Sequence, residues 1–221
     1  MKILVTGCGI SGTVLLTRLM SSFDRVLTDN RLSDNEDIFQ GLTLNGFMRI
    51  KDKSQIIVRK ANHSFLFTGI IDDSTQKEQV DLFDKNGVTV VNIIRDGRDV
   101  IETKNGPYIC NLWISCIDQM RKYRDTISFN VRYESLVRNP DSIQTLMAEQ
   151  LGFRINHKFS EYPNFIRGPF ARSIKASHEL RPIDDSRVGK PIDEAVIQRL
   201  CGKQYEHFCE LSKELGYDRR W

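Results

Sequence analysis

Five short apolar runs, rich in β-branched residues, punctuate the chain at Lys2–Thr6, Arg25–Thr28, Gln55–Arg59, Val88–Ile94 and Ile127–Tyr133, and each has the length of a strand. The first and fourth are apolar without alternation, which is how strands covered on both faces read. Between the runs, apolar positions recur at helical spacing. Thr13–Phe23 predicts a first helix. Asp73 followed by Gln76 reads as a capping box for a second, which stops before Gly87 with Val80 and Phe83 turned inward. Cys110–Arg124 carries Trp113, Ile117, Met120 and Arg124 on one stripe. Pro140 starts a fourth helix, with Ile143, Leu146, Met147 and Leu151 inward and Gly152 as its stop. The last runs from about Asp193 to Leu215 through Val196, Leu200, Tyr205, Phe208 and Leu211. Strands alternating with helices argue for an α/β fold, a single domain over residues 1–221 with a central parallel sheet flanked by helices. Asp29–Arg49 and Phe153–Pro191 carry no periodicity, and long patternless stretches in a compact domain are commonly functional.

A chain of 221 residues is long enough to bury one substantial core. No apolar run reaches the length of a bilayer span, and the first strand begins at Lys2 without a signal-peptide pattern. Five cysteines (Cys8, Cys110, Cys116, Cys201, Cys209) form no Cys-x-x-Cys pair and are odd in number, which predicts reduced thiols and a cytoplasmic location. The four histidines lack ligand spacing, so no metal site is expected. Charge is uneven: Arg154–Lys190 holds eight Lys/Arg against four Asp/Glu, a local excess larger than the net +3 of the whole chain. A compact polyanion needs only such a local surplus, whereas nucleic acid asks for a broader one.

The candidate chemistry begins where the first strand runs into Gly7-Cys8-Gly9-Ile10-Ser11-Gly12-Thr13 and then the helix Val14-Leu15-Leu16. Three glycines permit a sharp turn and close approach of a ligand, and the hydroxyls of Ser11 and Thr13 join the outward N–H groups of a helix start. A phosphate or sulfate fits that arrangement; a ligand-free turn would not need it. The spacing matches the P-loop frame, yet Ile10 and Thr13 stand where a phosphate-binding cation could sit, which argues against an ordinary ATPase. The fourth run ends in Arg95-Asp96-Gly97-Arg98-Asp99-Val100, at the carboxyl end of a strand, where ligands gather in α/β sheets.

Together these segments resemble the sulfotransferases that use 3′-phosphoadenosine 5′-phosphosulfate (PAPS), a P-loop-like architecture. Their arginine signature reads Arg-Asp-Pro-Arg-Asp-Val with a hydroxyl residue eight positions after the first arginine, matched here by Arg95 and Thr103. The resemblance implies that these two hold the 3′-phosphate. It continues at Val131-Arg132-Tyr133-Glu134-Ser135-Leu136, with Tyr133 implied beside the adenine. Ser186-Arg187-Val188-Gly189-Lys190 is similar to the C-terminal loop that grips the 3′-phosphate, which implicates Arg187, Gly189 and Lys190. The opening loop matches the family's 5′-phosphosulfate loop, implicating Gly7, Gly9, Ser11, Gly12, Thr13 and Val14. Gln55–Lys60 is similar to a strand ending in a lysine near the transferred group, so Lys60 is the candidate for offsetting leaving-group charge. His63 is the candidate general base, with Glu36 or Asp29 as alternatives.

Three residues depart from the pattern: Ile10 replaces the Lys or Arg before Ser-Gly-Thr, Val14 the second Thr, and Gly97 the proline. Only Ile10 touches chemistry, because a charge aimed at a developing anion contributes several kcal/mol. The expected activity is transfer of the PAPS sulfuryl group to a hydroxyl or amine of a small-molecule or carbohydrate acceptor, leaving adenosine 3′,5′-bisphosphate (PAP). A non-catalytic PAPS/PAP-binding protein is the first alternative and a P-loop nucleotide kinase the second; the kinase would need a loop lysine and a strand-end acid for Mg²⁺. The acceptor side falls to the two patternless stretches, where Phe47, Phe165 and Phe170 are available as walls. Oligomeric state has no signature in the sequence.

Overall fold

The computed structural model describes residues 1–28, 56–60, 73–104, 107–165 and 183–217. Five strands, β1 (Lys2–Thr6), β2 (Val26–Thr28), β3 (Ile56–Lys60), β4 (Val88–Ile94) and β5 (Ile127–Arg132), form one sheet in the order β2-β3-β1-β4-β5. All neighbours run parallel, with Val5 opposite both Lys60 and Val91 and Ile94 opposite Arg132. Alternation along these apolar strands feeds two cores. Leu4, Val88 and Val90 point to one face; Ile3, Val5, Val91 and Ile93 point to the other.

On the first face lie α2 (Asp73–Lys85), α3 (Gly97–Lys104), α4 (Pro107–Lys122), α8 (Glu194–Cys201) and α9 (Tyr205–Glu214). They supply Phe83, Val100, Trp113, Ile117, Ile197 and Phe208 to that core. The second face is covered by α1 (Thr13–Leu19), α5 (Tyr133–Arg138) and α6 (Pro140–Leu151), through Leu16, Leu19, Leu136 and Met147, with Phe23 and Phe159 between them. A four-residue turn of helix, α7 (Tyr162–Phe165), falls in the stretch that reads as patternless. The fold is α/β with a parallel sheet flanked by helices, as the sequence pattern predicts. Among the described residues no helix is long and apolar enough to cross a membrane.

Several expectations are corrected. Cys110 and Cys201 form a disulfide that ties α4 to α8 inside the first core, so the reading of five reduced thiols fails and the cytoplasmic argument built on it loses its premise. Cys8 and Cys116 are free and buried, and Cys209 is free and exposed. Gln76 does not close a capping box: it is fully buried and its amide has no hydrogen-bond partner. The last helix is broken at Gly202, whose φ of +54° is incompatible with a continuous helix, and a 3₁₀ turn joins the halves. Leu146 faces solvent and Gln144 takes the inward position instead. The Gln144 amide donates to Ser22 Oγ and the His157 carbonyl at 2.9 and 2.7 Å and accepts from Phe159 N at 2.9 Å.

Candidate functional site

The glycine loop leaves the carboxyl end of β1, the central strand, so its neighbours are the ends of β3 and β4. Gly7 lies against β4: a Cβ there would come 2.3 Å from the Ile93 carbonyl oxygen. Gly12, at φ +99°, caps α1, and its missing Cβ makes room for the Tyr133 ring, which a methyl group would approach to 2.6 Å. No side chain caps α1 and no acid stands in its first turn. Ser11 is fully buried. Its hydroxyl and its N–H both donate to the Cys8 carbonyl, at 2.6 and 3.1 Å, so the donor capacity of Ser11 closes the loop itself. Thr13 and Val14 are half-buried at the start of α1, and Gly9 approaches Leu112 of α4.

Ile10 has φ +70°, a left-handed backbone that costs a β-branched residue more than a glycine. Its side chain packs against the first core. Cys8, beside it, shares a thiol hydrogen bond with Cys116 of α4, and burial first, then that bond, pushes the Cys116 thiol up.

Arg95 follows the last residue of β4 and is 3% exposed. Its Nη1 donates to the Ile10 carbonyl at 3.2 Å and its Nη2 to the Arg187 carbonyl at 2.6 Å, so one guanidinium bridges the glycine loop and the C-terminal loop. The group lies 4.5 Å from the centre of the Tyr133 ring, and Nε is buried without a partner. Trp113 Nε1 holds the Arg95 carbonyl at 2.9 Å. Tyr133 thus sits between Gly12 and Arg95, buried, at the point where β5 passes into α5.

The C-terminal loop arrives at the same corner. Arg187 and Lys190 are exposed, and Lys190 Nζ lies 4.0 Å from Glu102 Oε1 of α3. The Gly189 N–H points to the Asp99 carboxylate, 3.1 and 3.0 Å from its two oxygens. Thr103, one turn along α3, is exposed and its hydroxyl donates to the Asp99 carbonyl at 2.7 Å. Of the residues nominated from the sequence, the fold therefore brings together the glycine loop, Arg95, Thr103, Tyr133, Arg187, Gly189 and Lys190. Lys60 ends β3 in register with Val5, one strand over from the loop. His63, Asp29, Glu36, Phe47 and Phe170 lie outside the described residues. Phe165 is half-buried and stacks on His157, with ring centres 5.3 Å apart.

Four residues that the sequence left unassigned build this corner. Asp96 is fully buried and its Oδ1 accepts from Arg98 N and Nε at 2.9 and 3.0 Å. Glu134 accepts from Asp96 N at 2.9 Å and from the Tyr217 hydroxyl at 3.1 Å, joining the ends of β4 and β5 to the C-terminal segment. Burial first, then the Glu134 charge, raises the Tyr217 hydroxyl above its ordinary range. Trp113 and Asp99 complete the set. Their signal in the sequence is faint: an acid four residues after Arg95, and a Tyr-Glu pair at a strand end.

No family model matches the chain, and no curated protein matches it in sequence. Solved structures do match in shape. The sulfotransferase domain of the Synechococcus PCC 7002 olefin synthase is similar over 100% of this chain and 95% of its own, with a TM-score of 0.66 at 15% identity. The sulfotransferase domain from the curacin biosynthetic pathway covers 99% of this chain and 98% of its own, with a TM-score of 0.57 at 12% identity. Mouse sulfotransferase SULT7A1, solved with PAP, covers 99% and 85%, with a TM-score of 0.53 at 12% identity. The chain has the sulfotransferase fold.

Proposed function

We propose that this protein binds PAPS and transfers its sulfuryl group to a hydroxyl or amine of a small-molecule or carbohydrate acceptor. The observation that carries the reading is the Arg95 bridge. Residues from the two loops nominated independently for the two ends of the same cofactor accept from one guanidinium, at 3.2 and 2.6 Å. A buried Arg Nε with no partner is an unmet donor beside these loops, and an anionic oxygen is the group that would meet it. The sulfotransferase fold adds weight, as does the PAP held by SULT7A1.

In this reading the backbone of Gly7–Thr13 and the start of α1 receive the 5′-phosphosulfate, while Arg95, Thr103, Arg187 and Lys190 receive the 3′-phosphate. Tyr133 braces Arg95 from below. PAPS supplies a sulfuryl group on a phosphate anhydride oxygen. Lys60, at the end of β3, offsets charge on that oxygen, and His63 takes the acceptor's proton. Glu36 and Asp29 are the alternative bases. Holding the donor at both ends aligns sulfur with the acceptor, which removes orientational entropy from the barrier.

A second reading, a PAP-binding protein without turnover, is favoured by one observation: Ile10 turns an apolar side chain into the core where a cation would face the anhydride oxygen. The kinase alternative is weakened because Asp96, the strand-end acid, is spent on Arg98. Calorimetry with PAP and AMP, followed by labelled PAPS with sugars, phenols and amines, tests the proposal. Much tighter binding of PAP than of AMP together with turnover supports it. Equal affinity for the two nucleotides refutes the cofactor assignment, and tight PAP binding without turnover on any acceptor moves the balance to the second reading.

A further inference from the structure

We propose that Asp99 is a positioning residue for the cofactor, holding the Gly189 N–H so that the loop over residues 186–190 keeps the form that receives a 3′-phosphate. The proposal rests on the reading of that loop given above. Asp99 lies in the first turn of α3 and is 1% exposed, and a carboxylate so buried is stable only if donors meet it. The Gly189 N–H does so, 3.1 and 3.0 Å from its two oxygens. Gly189 has φ +70°, a conformation open to glycine at little cost, so the loop turns sharply at the residue that is pinned.

The pin acts on the loop side of the 3′-phosphate site. Thr103 donates to the main-chain carbonyl of Asp99, a bond independent of the carboxylate, so the substitutions below test the loop alone. Arg95 and Lys190 add ties between the same two segments. Because the Gly189 N–H is spent on Asp99, the side chains of Arg187 and Lys190 carry the loop's share of phosphate recognition, and Gly189 supplies the turn. Engaging the carboxylate with an N–H also reduces its repulsion of an incoming phosphate.

Calorimetry with PAP and with AMP on wild type, Asp99→Ala and Asp99→Asn tests this, with thermal melting to confirm that each is folded. Asp99→Ala should weaken PAP binding about tenfold or more while AMP binding stays unchanged, since a charged hydrogen bond is lost only on the 3′-phosphate side. Asp99→Asn keeps one acceptor oxygen and should recover most of the loss. PAP affinity within about twofold of wild type in folded Asp99→Ala, or equal losses for both nucleotides, overturns the proposal. Hydrogen exchange at the Gly189 amide separates the two possible failures. Protection in wild type that is lost in Asp99→Ala upholds the pin, even if wild type fails to distinguish PAP from AMP and the cofactor reading falls. An unprotected Gly189 amide in wild type overturns the proposal without requiring any variant to fold.

Discussion

Gly97 opens α3 at the position where the arginine signature of the sulfotransferases carries proline, and its missing side chain has a measurable consequence. A Cβ at Gly97 would lie 2.6 Å from Phe208 Cε2 and 2.8 Å from Trp113 Cδ2 and Cε2. Carbon atoms normally meet at about 3.5–4.0 Å, so roughly 1 Å of displacement is needed. Neither ring has room: both are buried, their centres are 5.0 Å apart, and Trp113 is tied to the Arg95 carbonyl. Overpacking of this kind costs about 1–3 kcal/mol, against a helix-propensity gain of at most about 1 kcal/mol for replacing glycine by alanine. Gly97→Ala should therefore lose roughly 1–2 kcal/mol in urea unfolding, with a Tm lower by roughly 2–8 °C. Phe208→Leu frees space beside the new methyl group, so the cost of Gly97→Ala should shrink in that background, a non-additivity readable from a double-mutant cycle. Since Trp113 holds Arg95, PAP affinity should fall along with stability. A Gly97→Ala protein as stable as wild type would refute the packing argument, and unchanged PAP binding in a destabilised one would refute the coupling to Arg95.

Arg95→Ala should weaken PAP binding by roughly 1.5–3 kcal/mol and, because the side chain ties two loops, should also lower stability; a folded variant binding PAP like wild type removes Arg95 from the site. Lys60→Ala should abolish sulfuryl transfer with little loss of PAP binding, and Ile10→Arg should raise turnover; labelled PAPS checks both, and wild-type rates in Lys60→Ala end its assigned role. Reducing the Cys110–Cys201 bridge, which closes a loop with a sequence separation of 91, should cost about 2–4 kcal/mol in denaturant unfolding; equal stability with and without reductant contradicts it. His207 Nε2 donates to the Asp118 carboxylate at 2.9 Å, and that bond raises its pKa above 6.5. The stabilisation is therefore present below pH 6.5 and lost as pH rises through the folded value, and Asp118→Asn should bring the NMR titration of His207 back toward 6.5.

The sheet was legible because buried parallel strands leave continuous apolar runs, and the five runs lie within one or two residues of the five strands. The helix Gly97–Lys104 was not, because its opening residues Gly97, Arg98 and Asp99 look like a polar loop; Arg98 is met locally by the buried Asp96, and Asp99 by Gly189 from across the fold. Leu146 and Gln144 exchanged their expected roles for a similar reason. Gln144 meets three partners that no local pattern reveals, all of them more than ten residues away on the chain. The Cys110–Cys201 bridge joins residues whose spacing carries no signature, so it emerges only from the docking of α8 on α4. Ser11 was readable as part of an anion loop, yet which way its hydroxyl donates depends on the Cys8 carbonyl and not on its residue type.

The acidic residues around the candidate site pose a problem that the geometry answers. Asp96, Asp99 and Glu134 converge on a corner read as receiving a polyanion, and three bare carboxylates there would oppose binding. Each is buried and each accepts from a backbone N–H: Asp96 from Arg98, Asp99 from Gly189, Glu134 from Asp96. These bonds offset the negative charge by fixed dipoles and use it to set the backbone at the end of β4, the start of α3 and the C-terminal loop. The guanidinium of Arg95, by contrast, spends only two of its five N–H donors on carbonyls and keeps its charge uncancelled by any acid among the described residues within ion-pair distance. Although the Arg95–Asp99 segment contains as many acids as bases, the arrangement of donors, not the residue count, makes the corner suited to an anion.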